Sequence, residues 1–286
     1  MICVVCKTPM QPDAIPDTYK CLGCGFYASS LPVKINQIKS IDEINREAAL
    51  KPLRSKTFSK ILEASADLFP SNASVLDVGC AHGWFMDAAK SAGYRCTGVE
   101  PDHEMAAQAR LAGHNVIEGF FPGALPAGER YDVIAFHDAF EHLPEIDRIV
   151  GQISSYLNEG GLTIVNLPIS DGLIFRTTRV LARSIKISGP YKRMWQVGLP
   201  SPHLSYFSAD TLQRLFANTG FGLVRSGRLE AISTKGLYER IRFDRNVGVL
   251  NSIAIYITAR CIQVFAGAFP SDAQYFIFRK GVTRNS

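Results

Sequence analysis

Four cysteines open the chain in two pairs, Cys3 with Cys6 and Cys21 with Cys24, with fourteen residues between the pairs. Thiolates at C-x2-C spacing on two knuckles suit tetrahedral zinc and close its coordination shell, so the chemistry they predict is structural. A second set of residues lies in VLDVGCAHGWF, where a strand, a turn holding Gly79 and Gly83, and a helix start follow one another. That order lets backbone approach a ligand at the end of a strand. Glu100 ends the next strand segment, 23 residues after Asp77, where a carboxylate can accept hydrogen bonds from both ribose hydroxyls of an adenosine. Histidine is the side chain best suited to take a proton near neutral pH. His137 and His142 fall in FHDAFEHL, and His203 in SPHLSYF. Asp138 and Glu141 have two readings, orienting a histidine or capping the helix that follows.

The elements that must position these residues are legible as periodicity. From Ser74 onward, apolar runs of strand length alternate with helical segments: VLDVG, WFMDAAKSAG, RCTGVE, HEMAAQARLAG, NVIEG, YDVIAFHD, IDRIVGQISSYLNEG and LTIVNLP. This predicts an α/β fold with a mostly parallel sheet covered by helices on both faces. SADTLQRLFANTG reads as a later helix, capped at Ser208 and closing at Gly220, and FGLVRSGRLE and AQYFIFRK read as strands. Residues 1–30 form the zinc unit, and residues 31–72 a helical linker interrupted at Pro52. Residues 73–286 form the main domain, with insertions at about 170–205 and 235–269.

The segment DVGCAHG lacks the third glycine of a dinucleotide-binding GxGxxG turn. VLDVGCAHGWFMDAAKSAGYRCTGVEPD instead resembles the first motif, first helix and second strand of class I S-adenosylmethionine (SAM)-dependent methyltransferases. YDVIAFHDAFEHL, LNEGGLTIVNLP and HLSYFSADTLQRLFANTGF are similar to later segments of the same family, in its ubiquinone-type and small-molecule or sugar branches. The resemblance spans about residues 53 to 230. It implies a Rossmann-like seven-stranded methyltransferase sheet, here preceded by a small four-cysteine zinc ribbon. It also implies SAM as cofactor, with Asp77, Gly79, Cys80 and Gly83 along its methionine and ribose portion and Glu100 on the ribose. Asp102 and His103 would lie near the adenine, Phe120 would stack on it, and His137 belongs with this binding set. His142 and His203 are the candidate catalytic bases.

The basic residues are unevenly placed. No acidic residue falls between Asp171 and Asp210, whereas Arg176, Arg179, Arg183, Lys186, Lys192 and Arg193 do. Taking those six from the 31 Lys and Arg leaves 25 against 26 Asp and Glu, so the whole excess of +5 lies in this insertion. If it is helical, Arg176, Arg179, Arg183 and Lys186 share a face opposite Ile174, Leu181 and Ile185, the pattern of a membrane-surface or anionic-ligand element. The resemblance places it above the substrate pocket as a lid. Residues 247–269 are almost long enough to span a bilayer but contain Asn251, Arg260 and Gln263. A buried helix, a homodimer contact or a shallow anchor fits them better than a span.

With 47% hydrophobic and 20% charged residues over 286 positions, the chain is excluded from the disordered and fibrous classes. Cysteines at metal-ligand spacing and an N-terminus without a basic, then apolar, leader predict a cytoplasmic protein, peripheral to the inner face of the membrane if the lid meets lipid. The reading is a methyltransferase acting on a hydroxyl of a glycan, glycolipid or secondary metabolite. Two other readings stand beside it: an RNA methyltransferase using the ribbon and the basic segment, and a noncatalytic SAM-binding module that recruits a partner.

Overall fold

The computed structural model describes residues 1–37, 43–230 and 271–281, together with Gly248, Val249, Ile253 and Tyr256. The elements run in chain order as β1 (Met10–Pro12), β2 (Thr18–Cys21), β3 (Tyr27–Ser29), α1 (Glu43–Ser65), β4 (Ser74–Val78), α2 (Trp84–Ser91), β5 (Arg95–Glu100), α3 (His103–Leu111) and β6 (Asn115–Glu118). They continue as β7 (Tyr131–His137), α4 (Ile146–Ile153), β8 (Leu157–Pro168), α5 (Leu173–Val180), α6 (Gly189–Met194), β9 (Ser205–Tyr206), α7 (Ala209–Ala217), β10 (Phe221–Leu229) and β11 (Ala273–Lys280). Seven strands form one sheet in the order β10-β11-β8-β7-β4-β5-β6. The five central strands are parallel, and β11 runs antiparallel to both β8 and β10.

Alternate residues of each central strand enter different cores, because successive Cβ atoms point to opposite faces. Leu76, Ile134, Phe136 and Val165 pack with α4 and α7 through Ile149, Val150, Leu212 and Phe216. Their neighbours Val75, Val133, Ala135 and Ile164 pack with α1 and α2 through Phe58, Ile61, Phe85 and Ala89. Both faces are covered, as the near-continuous apolar runs require.

Two expectations change. The helix α1 runs unbroken through Pro52, and its apolar residues belong to the second core. The segment read as a linker thus supplies a layer of the main domain, since burial of Phe58, Ile61 and Leu62 outweighs one missing backbone hydrogen bond. The ribbon, in turn, does not stand apart. Its last strand, β3, pairs with β9 through Tyr27 and Ser205–Tyr206, extending the ribbon sheet to β1-β2-β3-β9. Cys3, Val5, Cys21 and Phe26 share the first core with Phe207 and Phe216.

The insertion folds as α5, a π turn at Leu181–Ile185, and α6. Arg179, in α5 ahead of the π turn, is not left free on a basic face but makes a two-pronged ion pair with Asp13 of the ribbon, and Arg183 stands 3.9 Å from the same carboxylate. Asp13 has 0% of its side chain exposed and also accepts a hydrogen bond from the Tyr191 hydroxyl at 2.7 Å. Burial alone would raise its carboxyl, but the hydrogen bonds from Arg179 and Tyr191 overcome that and hold it below the usual range. Removing one member of a buried pair strands the other, so Asp13→Ala is expected to cost about 3–5 kcal/mol in a urea melt. A loss under about 1 kcal/mol would show that the ribbon and insertion do not depend on this bridge.

Candidate active site

The sheet order reverses at β4, whose neighbours are β5 on one side and β7 on the other. A crevice opens at the carboxyl ends of parallel strands where order reverses. Here it is a cavity of about 970 Å³ that includes Asp77, Glu100 and His137 from three strand ends, Leu53 and Phe58 from α1, and Met194 from the insertion.

At one end lies the glycine turn. Gly79 has φ 74° and donates its N–H to the Val99 carbonyl at 2.8 Å, drawing the turn against β5. A Cβ there would sit 2.8 Å from that of Ala139. Gly83 begins α2 at φ 76°, and a Cβ on it would strike the His114 ring. Glu100 is buried, and its two oxygens accept from the N–H groups of Ala81 (2.8 Å) and Asp102 (2.9 Å), which fixes the carboxylate between the two turns. Asp77 is 1% exposed, and its Oδ1 has no hydrogen-bond partner among the described residues. Burial, with the charge of Glu100 adding to it, pushes the Asp77 carboxyl up to about 8. A cradle closed to any side chain, beside an orphaned buried oxygen, fits a ligand that donates hydrogen bonds.

Cys80 contributes its backbone to this turn, while its thiol packs with Met86 and Ala106. Asp102 spends Oδ1 capping α3 through the N–H groups of Glu104 and Met105. His103 and Phe120 line the same rim, Phe120 with 55% of its surface exposed. His137 is wedged between Phe58 and Phe85, and its Nδ1 is bonded to the Asn166 side-chain oxygen. Burial lowers its pKa to about 4, so it is neutral at physiological pH.

The other end gathers Glu141, His142 and His203. His142 Nδ1–H donates to the Pro202 carbonyl at 2.9 Å, which puts the ring's lone pair on Nε2. His203 is buried, with Nδ1 3.0 Å from the Tyr206 hydroxyl and Nε2 2.9 Å from the Gln196 amide. Because Tyr206 donates to the Met194 carbonyl, His203 Nδ1 carries the hydrogen and Nε2 accepts. Burial pushes Glu141 up to about 8.

The sequence of residues 47–226 matches a family model described as a methyltransferase domain. The chain belongs to the class I SAM-dependent methyltransferases. The cyclopropane synthase of Mycobacterium tuberculosis superposes with a TM-score of 0.58 at 18% identity, covering 85% of this chain and 90% of that one. A SAM-dependent methyltransferase from Thermotoga maritima gives 0.55 at 16%, covering 83% and 94%. One from Archaeoglobus fulgidus gives 0.51 at 16%, covering 81% and 97%. These likenesses concern the fold. No curated protein matches the sequence.

The cavity brings together Asp77, Gly79, Cys80, Glu100, Asp102, His103, Phe120 and His137 of the residues that the resemblance assigns to SAM, with Gly83 at the adjoining start of α2, and the rings of His142 and His203 lie with centroids 4.6 Å apart. Three participants carried no local signal. Asn36 clasps the turn after β5, donating to the Pro101 carbonyl and accepting from the His103 N–H. Arg54 pairs with Asp138, and Gln196 reaches His203. Asn36 and Arg54 lie far along the chain from what they touch, and Gln196 meets His203 through the loop between them.

At the N-terminus, the two knuckles of the methyltransferase are near copies. Cys3 N–H bonds Thr8 O and Lys7 N–H bonds Cys3 O, as Cys21 N–H bonds Phe26 O and Gly25 N–H bonds Cys21 O. The sulfurs of Cys3 and Cys24 are 3.6 Å apart, those of Cys6 and Cys21 3.4 Å, and all four lie within 4.8 Å of one another. Tetrahedral zinc with bonds of about 2.3 Å places sulfurs about 3.8 Å apart, so the set fits.

The raised Asp77 has a consequence for stability. In the unfolded chain an aspartate titrates near 3.9. A folded value of about 8 means the folded state holds the proton more tightly. Its stabilising contribution is full below about pH 4 and is lost as pH rises toward 8. In SAM-free protein, wild type is expected to lose more stability than Asp77→Asn between pH 5 and pH 8, read from urea midpoints. Equal losses in the two proteins would contradict a protonated Asp77.

Proposed function

We propose that the protein is an O-methyltransferase that methylates a hydroxyl of a lipid-borne glycan or related acceptor, and that its ribbon holds a structural zinc. SAM, when bound, supplies a methyl group on a sulfonium sulfur that is already activated. The chain's own part is to position the acceptor and remove its proton. Gly79 and Gly83 would leave room for the cofactor, Asp77 and Glu100 would accept its hydrogen bonds, and Phe58 and Phe85 would exclude water behind it. The observation that carries the hydroxyl reading is the Glu141, His142 and His203 group in the same cavity as the glycine turn. It presents polar acceptor atoms where an incoming hydroxyl must lose hydrogen.

The lipid-borne part rests on the insertion. Val180, Ile185 and Ile187 are 54%, 57% and 52% exposed, and Arg183 and Lys186 lie among them in the chain. Apolar and cationic side chains presented together suit an anionic lipid surface. Among the described residues no helix is long and apolar enough to cross a membrane. Residues 247–269, the other segment read for membrane or dimer contact, lie outside the described residues apart from 248, 249, 253 and 256.

The test is transfer from methyl-labelled SAM into host extract separated into lipid, polysaccharide, small-molecule and RNA fractions. Label in lipid or glycan is expected, whereas label in RNA would replace the acceptor and recast the insertion as a phosphate-binding surface. In parallel, Arg176→Glu with Arg183→Glu is expected to weaken binding to anionic vesicles by at least about tenfold. Unchanged vesicle binding would remove the membrane part of the reading. No label in any fraction would leave the SAM-binding module as the better account.

A further inference from the structure

We propose that Glu141, His142 and His203 bind a divalent transition-metal ion at the acceptor end of the cavity, separate from the ribbon zinc. The proposal rests on the methyltransferase reading of this pocket and names how it would hold the acceptor hydroxyl. One ligand atom from each of the three residues lies within 4.8 Å of the others. Both imidazoles are already set up as ligands. His142 Nδ1 is spent on the Pro202 carbonyl and His203 Nδ1 on the Tyr206 hydroxyl, itself anchored on the Met194 carbonyl. Outer partners of this kind fix the tautomer and aim Nε2 at a metal.

Glu141 supplies the independent observation. It is 1% exposed, and its Oε2 has no hydrogen-bond partner among the described residues. Its Oε1 stands 3.9 Å from His203 Nε2, too far for a hydrogen bond. A buried carboxyl oxygen without a partner calls for a ligand, and a cation beside it would supply one. Gln196, whose amide now donates to His203 Nε2, would swing aside to free that nitrogen for an ion. Donors around an ion at about 2.1 Å stand about 3 to 3.5 Å apart, so the side-chain tips close by about an ångström. Two imidazole nitrogens and one carboxylate oxygen select a Mn2+, Fe2+ or Zn2+ type ion over Mg2+ or Ca2+.

With three protein ligands, coordination positions remain for an acceptor that offers its hydroxyl oxygen. The ion lowers that hydroxyl's pKa. The O–H bond breaks with the proton passing to water, the O–C bond forms, and the C–S bond breaks with its electron pair going to sulfur.

The full chain, with its ribbon metal retained, would be titrated with Mn2+ and the loss of the free-ion paramagnetic resonance signal followed. Mn2+ is poorly suited to thiolates, so the ribbon does not compete. One site per chain is expected, weakened about tenfold or more in Tyr206→Phe and at least as much in Glu141→Gln. Gln196→Ala removes the competing amide and is expected to bind Mn2+ at least as tightly as wild type, a readout that a purely structural role would not move. SAM affinity, measured by calorimetry on the same samples, should be unchanged. No Mn2+ bound by wild type at about millimolar concentration, or equal binding in Glu141→Gln, overturns the metal site while SAM binding persists. Failure of the wild type to bind SAM would instead overturn the methyltransferase reading beneath it.

Discussion

If the ribbon holds zinc as proposed, withdrawing it by chelation or by Cys21→Ser is expected to abolish methyl transfer while leaving SAM binding within a few-fold of normal. Structural zinc sites contribute about 10 to 16 kcal/mol to folding at neutral pH, more than about thirty residues with three short strands obtain from burial. The loss travels because β3 is the partner of β9. The Ser29 hydroxyl donates to the His203 carbonyl and its N–H to the Leu204 carbonyl, and Tyr206 of β9 orients the His203 ring. A ribbon without metal thus releases the acceptor end of the pocket. The strands β4 and β5 also pack through Val75 and Phe85, and through Met86 and Ala106, in two cores that the ribbon does not enter. The measurements are one zinc per chain by elemental analysis, and hydrogen exchange at residues 27–29 and 204–206 before and after chelation. A metal-free chain that keeps its protection there and its activity would refute the structural role.

Gly79→Val is expected to weaken SAM binding by about a hundredfold or more, equivalent to about 2.7 kcal/mol. The backbone at φ 74° is left-handed, which costs an ordinary residue about 1–2 kcal/mol, and β-branching adds to it. The new Cβ would also collide with that of Ala139, forcing the turn away from β7. Calorimetric titration with SAM reads the effect, and a thermal melt separates it from unfolding. Affinity within about threefold of wild type, under about 0.7 kcal/mol, would mean the turn does not cradle the cofactor. Gly79→Ala should fall between the two, because it brings the strained φ and the clash without the second branch.

Much of the fold was readable from one-dimensional pattern. The alternation of Val75, Leu76, Asp77 and Val78 with helical segments dictates strands buried on both faces, and only a parallel sheet between helix layers satisfies that. The same pattern put Asp77, Glu100 and His137 at strand ends, which is why they converge. The cysteine pairs named their own geometry. Pro52 misled because propensity is local, whereas the helix through it is held by Phe58, Ile61 and Leu62 in a core assembled from distant strands.

The sequence by itself determined the glycine turn, the carboxylate that follows it, the four thiolates and the succession of strands and helices along the chain, because each depends on residues close together in the chain. The tertiary structure alone decided that Asp13 of the ribbon would claim Arg179 from the insertion, 166 residues away. It also decided that Arg54 would reach Asp138, and that Glu141 and His142 would face His203 from a distant part of the chain. Pairings of that kind follow from how sheets and insertions close on one another, and a buried charge or imidazole takes whichever partner the closed chain brings within about 3 Å.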